Sequence, residues 1–256
     1  VPFDGAPPTE PGRFVREAYV EPGLLDREDL ARGRHALAPD FLADQLDRSL
    51  ANLGVETVDL YYVHNPETQL AARSREAVYD QLEAAFERLE ERAAAGDLRH
   101  YGVATWDAFR VPPDHPRYLS LPRVVECARR AADAAGTTAT HLRAIQLPFN
   151  VEMADAFTVA AHEGAEGRQS ALWFANDAGL SVFTSASLMQ GDLVEGLPPA
   201  VAEQVGGETP AQRGINFARS APGVTAALVG ASSAAHVREN VAAGTAEPLG
   251  AAAFDA

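Results

Sequence analysis

Between Pro39 and Leu53 the apolar residues Phe41, Leu42, Leu46, Leu50 and Leu53 recur at helical spacing, with a proline suited to the first helical position and Gly54 placed to stop the helix. The pattern predicts a helix packed along one face. After it, short apolar runs alternate with amphipathic stretches. Residues 58–63 read as a strand and precede a helix with Val78, Leu82, Phe86 and Leu89 on one stripe, ending at Gly96. "RHYGVAT" precedes a helix over 122–135 that ends at Gly136, and "RAIQLPF" precedes one around 169–176. "LSVFTSA" precedes a polar stretch and a helix over 210–219, and "VTAALVG" precedes a helix over 234–243. Five apolar strands, each followed by a helix, imply parallel pairing through right-handed crossovers, with strands buried on both faces. Residues 1–37 are rich in proline, glycine and charge and keep no period, which predicts a long loop with a helical turn near 24–31.

This alternation fits an open doubly wound sheet or a (β/α)8 barrel. No G-x-G-x-x-G turn follows any of the strands, which removes the usual mark of a dinucleotide-binding open sheet. Polar residues stand instead at the C-terminal strand ends: His64 and Asn65, Thr105, Gln146 and Asn150, Ser185, Ser232 and Ser233. In a barrel those ends converge on one mouth, where active sites are built.

The length of 256 residues, 46% of them hydrophobic, suits one domain over 1–256. Thirty-six acidic residues against 21 basic ones give a formal charge of -15, which repels phosphate backbones and anionic headgroups, so neither nucleic acid nor membrane is expected as a partner. No apolar run approaches the ~20 residues of a membrane span, and the first residues lack a basic-then-apolar leader. A cytoplasmic protein is expected. Cys127, the only cysteine, sits at helical spacing in "VVECARRAA" and reads as a core residue. His35, His100, His115, His141 and His162 show no metal-ligand spacing, so no metal site is expected, and no G-x-S-x-G nucleophile turn occurs. All 21 basic residues are arginine, and the chain begins with valine.

"SLANLGVETVDLYYVHNP" resembles the aldo/keto reductase stretch in which a helix ending in Leu-Gly leads to an Asp-Leu-Tyr strand and the active-site histidine. "DLRHYGVATW" and "IQLPFN" are similar to the next two strands, "VFTSASLMQG" to the strand that follows, and "PGVTAALVGASSAAHVRENVAA" to the closing strand and helix at the adenosine phosphate end of the cofactor. The resemblance covers about residues 39–243 in family order. It implies a (β/α)8 barrel represented by about its fourth to eighth strands, with His64 closing the fourth. The strands that carry the family's catalytic Asp, Tyr and Lys are expected to be missing, which makes this chain N-terminally incomplete and inactive by itself.

In its complete form such a protein is expected to be an oxidoreductase that interconverts a small-molecule carbonyl and alcohol by hydride transfer, with NADP(H), or alternatively NAD(H), as cofactor. By the resemblance, His64 polarises the carbonyl. Thr105 and Gln146 hold the nicotinamide amide, although Thr105 replaces the usual Asn and Ala104 the usual Ser. Ser185 stands where many members stack a Tyr on the nicotinamide ring. Leu188, Gln190 and Gly191 offer backbone contacts to the pyrophosphate. Gly230, Ser232 and Ser233, before a helix N-terminus, read as a phosphate site or as simple capping. His236 falls where an Arg often meets the 2'-phosphate, and Glu239 and Asn240 match adenine contacts or form a solvated helix face. The departures at Ala104, Thr105 and Ser185 keep open a different class, a non-catalytic nicotinamide-binding or regulatory barrel.

Overall fold

The segment expected to be a loop holds a helix. α1 (Pro11–Val15) runs on through a wider π turn, Arg16–Val20, and together they bury Val15 and Tyr19. Tyr19 supplies the reason: fully buried, it meets the rings of Phe14 and Phe41 edge-on at 5.9 and 5.3 Å. A single aromatic anchor in a Pro-rich stretch leaves no period to find. Of the helical turn expected near 24–31, a 3-10 turn at Arg27–Asp29 is present. The computed structural model describes residues 9–165, 167–195, 197 and 199–254, so the first part of the predicted loop lies outside the described residues.

The chain divides into two units, residues 1–104 with 119–143 and residues 105–118 with 144–256. In the first, α2 (Pro39–Leu53) takes its predicted limits, with Pro39 in the first turn and Gly54 closing it at φ +66°. β1 (Val58–His64), α3 (Arg75–Ala95), β2 (Leu98–Ala104) and α4 (Leu121–Ala135) follow. The two strands pair in parallel, from Val58 opposite Leu98 to His64 opposite Ala104. α3 starts where Ser74 Oγ accepts the Ala77 N–H at 3.3 Å, and it buries the whole predicted stripe. Cys127 is buried on α4, as its spacing implied. Arg123 of α4 grips Glu76 with two bonds of 2.6 and 2.7 Å while lying 4.1 Å over the Tyr79 ring.

At the far end of α3 the fully buried carboxylate of Glu90 accepts from Tyr101, Thr137 and Thr140 and from both the backbone and ring of His141. Burial alone would push this carboxyl up; the bonds, those from His141 foremost, outweigh it and hold it below the usual carboxylate range.

The second unit contains β3 (Leu142–Pro148) from Ala144 onward, α5 (Asp155–Thr158), the antiparallel hairpin of β4 (His162–Gly164) and β5 (Gly167–Gln169), α6 (Ala171–Asp177) and β6 (Ser181–Ser185). Then come α7 (Asp192–Glu195), α8 (Pro199–Gln204), α9 (Pro210–Ser220), β7 (Ala226–Ala227) and α10 (Ala234–Ala243). β6 pairs in parallel with both β3 and β7. The helix expected near 169–176 starts two residues later, because Gln169 is paired opposite His162 in the hairpin and Ser170 is the cap. The strand expected over 224–230 is cut to Ala226–Ala227. A turn from Val224 N–H to Ala221 O delays its start, and Leu228 at its end is 43% exposed. Among the described residues no helix is long and apolar enough to cross a membrane, and no group of three or more His, Cys, Asp or Glu side chains could hold a metal ion.

Candidate functional site

In the second unit, the chain leaving β6 cannot continue as a strand. Ala186, Met189 and Gln190 take φ values of +54°, +48° and +58°, and Gly191 takes +109°. Left-handed backbone at three non-glycine residues costs on the order of 1 kcal/mol each, so the surroundings must hold the loop in place. They do: Ser187 Oγ donates to Leu228 O at 3.1 Å, and Asn150 Nδ2 donates to Ala186 O at 2.9 Å. α9 comes so close that a Cβ at Gly214 would lie 3.0 Å from Leu188 Cδ2.

This loop walls a cavity of about 580 Å³, a size usual for small-molecule sites. Across from it stand Leu228 to Ser232 and the first turns of α10, which bring His236, Glu239 and Asn240. Of the residues expected at a cofactor, the cavity brings together Leu188, Gly191, Gly230, Ser232, His236, Glu239 and Asn240, with Gln190 beside them. Ser233 is not in the lining. Its Oγ accepts the His236 N–H at 3.2 Å, so it caps α10. The Gly191 N–H is already bonded to Leu188 O at 2.7 Å, so this residue offers close approach and no donor.

Glu239 is fixed by Thr209, whose hydroxyl donates to its Oε1 at 2.6 Å while also capping α9. Ser232 Oγ lies 3.3 Å from His236 Nδ1, and Asn240 Nδ2 reaches Gly230 O at 3.4 Å. Thr209 was not singled out from the sequence. Its place before Pro210 is legible as a helix start, but its hold on Glu239 spans 30 residues.

Thr105, Gln146 and Ser185 lie outside this cavity's lining. Thr105 donates its N–H to Gln146 O at 2.8 Å, and Gln146 sits opposite Phe183 in β3–β6. The Thr105 hydroxyl is buried and has no hydrogen-bond partner among the described residues, an orphan that costs about 1–3 kcal/mol unless a ligand satisfies it. The cavity, whose lining includes Gly230, Ser232 and the first turns of α10, has the room and the polar groups that a phosphate-bearing nucleotide needs.

In the first unit His64 ends β1 with an exposed ring. It borders a second cavity of about 270 Å³ with His35, Phe41, Gln45, Tyr61 and Tyr62. Gln69, wholly buried, turns its amide nitrogen to Asp29 O, His35 O and His35 Nδ1 at 3.3, 2.9 and 3.0 Å. The two carbonyls fix that nitrogen as a donor. His35 Nδ1 must therefore accept, its proton sits on Nε2, and Nε2 donates to His64 O at 2.8 Å. Burial pushes the His35 pKa down, which agrees with a neutral ring. His35 has no ligand spacing in the sequence; its contact is to a backbone atom 29 residues away, which no spacing rule reports.

Tyr61 and Tyr62 are poor proton donors here. Burial, with Asp44 adding to it, pushes Tyr61 up to about 12, and burial pushes Tyr62 up as well. Asp59, five residues before His64, is an exposed partner of Arg99 at 3.4 Å.

Comparison with known proteins bears out the resemblance. Residues 31–112 match the model of the aldo/keto reductase family. No curated protein matches the chain. Among solved structures, the holo form of an aldo-keto reductase from Bacillus halodurans is similar at 17% identity and a TM-score of 0.55, over 85% of this chain and 66% of that one. An aldo-keto reductase from Klebsiella pneumoniae in complex with NADPH gives 20% identity and 0.52, over 82% of this chain and 61% of that one. The thermostable aldo-keto reductase Tm1743, in complex with the inhibitor epalrestat, gives 19% and 0.56, over 93% and 72%. The chain thus spans just under two thirds of the length of the first two. The fold is the α/β fold of the (β/α)8 aldo-keto reductase barrels, represented here by part of it.

Proposed function

We propose that this chain, a relative of the aldo/keto reductases by its match over residues 31–112 and by its fold, holds NADP(H) in an oxidoreductase that interconverts a carbonyl and an alcohol. The observation that carries the reading is the cavity between the strained loop after β6 and the start of α10. Relatives of the same fold bear NADPH, or NADP with acetate, in their solved structures. When bound, the nicotinamide supplies or takes up the hydride.

The residues of the chain divide the remaining work. Gly230, Ser232 and the first turn of α10, capped by Ser233, favour an anion through backbone N–H groups and the helix dipole. Glu239, oriented by Thr209, and Asn240 serve the adenine. Leu188 and Gly191 present a smooth wall to the pyrophosphate. Thr105 and Gln146 serve the carboxamide, the Thr105 hydroxyl gaining the partner it lacks. Ser185, at the end of β6, offers a small hydroxyl and no ring to the nicotinamide. His64 offers its exposed ring as a hydrogen-bond donor to a carbonyl oxygen, which favours charge building on that oxygen.

A proton donor is a separate requirement. A tyrosine that delivers a proton near neutral pH needs its pKa lowered by a cation, and Tyr61 and Tyr62 are shifted the other way. With no lysine in the sequence, this chain alone is expected to bind the dinucleotide without turnover. Fluorescence titration with NADPH tests the first part, and the absence of saturable binding would overturn it. Consumption of NADPH with a panel of aldehydes and sugars tests the second. Saturable binding with turnover by the chain alone would mean that another acid works. Binding without turnover in any longer form of the protein would favour the non-catalytic reading.

A further inference from the structure

We infer that the segment after α10, residues 244–254, is a clasp that holds α10 against α9 and so sets how firmly the cavity keeps a bound dinucleotide. This deepens the reading of that cavity as a dinucleotide site and rests on it. α10 brings His236, Glu239 and Asn240 to the cavity, yet Ala243 is its only fully buried residue, and Val237 and Val241 are 49% and 66% exposed. A wall with so little apolar burial is not fixed by core packing, so its place depends on what ties its two ends. At the cavity end the tie is the 2.6 Å bond from the Thr209 hydroxyl to Glu239. At the far end it is the clasp.

The joint between helix and clasp is stiff, because the Thr245 N–H and hydroxyl both bond Ala242 O, at 3.0 and 2.7 Å. Beyond this turn, side chains of α9 take hold of the backbone. Arg219 bonds Ala246 O, Asn216 Nδ2 donates to Glu247 O at 3.0 Å, and Ser220 Oγ accepts the Leu249 N–H at 3.0 Å. Phe254 closes the segment, its ring 5.3 Å from Phe217 of α9 and 5.7 Å from Phe157 of α5.

Asn216 connects the clasp to the cavity end. Wholly buried, it also donates from Nδ2 to Gly206 O at 3.0 Å, while its Oδ1 accepts from Arg219 at 2.9 Å and from Ser220 at 3.4 Å. Both acceptors of Nδ2 are carbonyls, so the amide has one orientation. Gly206 opens the short run that leads to Thr209. That run is laid along α9 by Arg213, bonded to Gly207 O, and by Gln212, which accepts the Glu208 N–H. One buried amide therefore joins the C-terminal segment to the run whose last residue orients Glu239. Residues 244–254 are not in the cavity lining, so a ligand there senses the clasp only through α9 and α10. Such coupling is reciprocal: what the clasp adds to ligand affinity, the ligand adds to closure of the clasp.

The test reads both directions on the whole chain, with NADPH as the probe. With NADPH saturating, the Leu249 amide is expected to exchange against solvent at least about fivefold more slowly than without it. Ser220→Ala and Phe254→Ala should each bind NADPH about fivefold more weakly or worse, through faster release in a displacement experiment, and Phe254→Leu should lie between them and the parent. Thermal melts show that the variants fold. A Leu249 amide that exchanges alike with and without bound NADPH, or parent affinity in both alanine variants, overturns the inference and leaves the site standing. Failure of the parent chain to bind NADPH overturns the site reading itself.

Discussion

Replacing Glu90 by glutamine tests whether a buried charge is held in the first unit by its hydrogen bonds. The carboxylate is fully buried and takes bonds of 2.9 Å from Tyr101, 2.9 Å from Thr140, 3.2 Å from Thr137, and 2.8 and 2.6 Å from the N–H and Nδ1 of His141. Each of these groups can donate to Glu90, Thr137 sharing its one proton with Ala132 O at 3.2 Å. A glutamine keeps the shape but turns an NH2 toward donors, so at least one oxygen's worth of bonds is lost and one buried donor is left opposing another. Bonds to a charged group contribute about 1.5–3 kcal/mol each, and breaking a buried charged network costs about 3–5 kcal/mol, so Glu90→Gln should destabilise by about 2–4 kcal/mol. At about 2–4 °C per kcal/mol for a chain of this size, the melting temperature falls by roughly 5–15 °C.

The pH dependence carries the sign. The folded pKa of Glu90 lies below its ordinary value, so its contribution is full above the unfolded pKa of about 4.3 and is lost as pH falls toward the folded value. Urea melts followed by circular dichroism from pH 7 to 4 should show a constant gap between parent and variant down to about pH 5, narrowing below. A gap under about 0.5 kcal/mol at pH 7 would refute the reasoning. So would a gap that closes between about pH 7 and 5, because that is the signature of a carboxyl pushed up by burial.

Thr105→Val removes a buried hydroxyl without a partner, so the chain should lose no stability and can gain up to about 1 kcal/mol, while NADPH binding weakens about threefold or more; unchanged affinity would take Thr105 out of the site. Thr209→Val loses both the α9 cap and the tether on Glu239, and a urea melt should show a cost of about 1–2 kcal/mol together with weaker NADPH binding. Arg123→Ala breaks the paired bonds to Glu76 and the contact over Tyr79. Because Arg123 is 47% exposed, its cost in a thermal melt should be no more than about 1 kcal/mol, and it should leave dinucleotide affinity unchanged.

What could be read from the sequence was what is written locally. The stripe of Val78, Leu82, Phe86 and Leu89 and the stops at Gly54, Gly96 and Gly136 define α2, α3 and α4 nearly to the residue, because helix period and left-handed glycine caps are properties of neighbours in the chain. The hairpin of β4 and β5 escaped because three-residue strands carry no period. The gathering of Leu188, Gly191, Gly230, Ser232, His236, Glu239 and Asn240 around one cavity could be anticipated only by resemblance, since no local rule links a strand end to a helix some 40 residues on. The left-handed run at Ala186, Met189 and Gln190 was not legible at all: none of the three is a glycine, and the partners that hold the loop, Leu228 and Asn150, are 41 and 36 residues away.

The clamp on His64 shows the same limit from the chemical side. A histidine at a strand end is useful only if the backbone that carries it is fixed, and His64 is fixed through its carbonyl, by a ring whose tautomer is set by Gln69. Protonating His35 would place an N–H against the Gln69 amide nitrogen, so burial and that opposing donor both favour the neutral ring. Because its pKa is lowered, the contact of Nδ1 with Gln69 should persist through neutral pH and fail only on acidification, while Nε2–H keeps its bond to His64 O. His35→Phe would keep the ring and lose both contacts, and an NMR titration of His64 reports the consequence. In the parent, the His64 backbone amide shift should stay constant until His35 is protonated. In the variant it should be displaced at every pH, with its exchange against solvent accelerated. An amide of His64 that is indifferent to the loss of His35 would mean that β1 alone holds the strand end, and the clamp would then be a contact without a task.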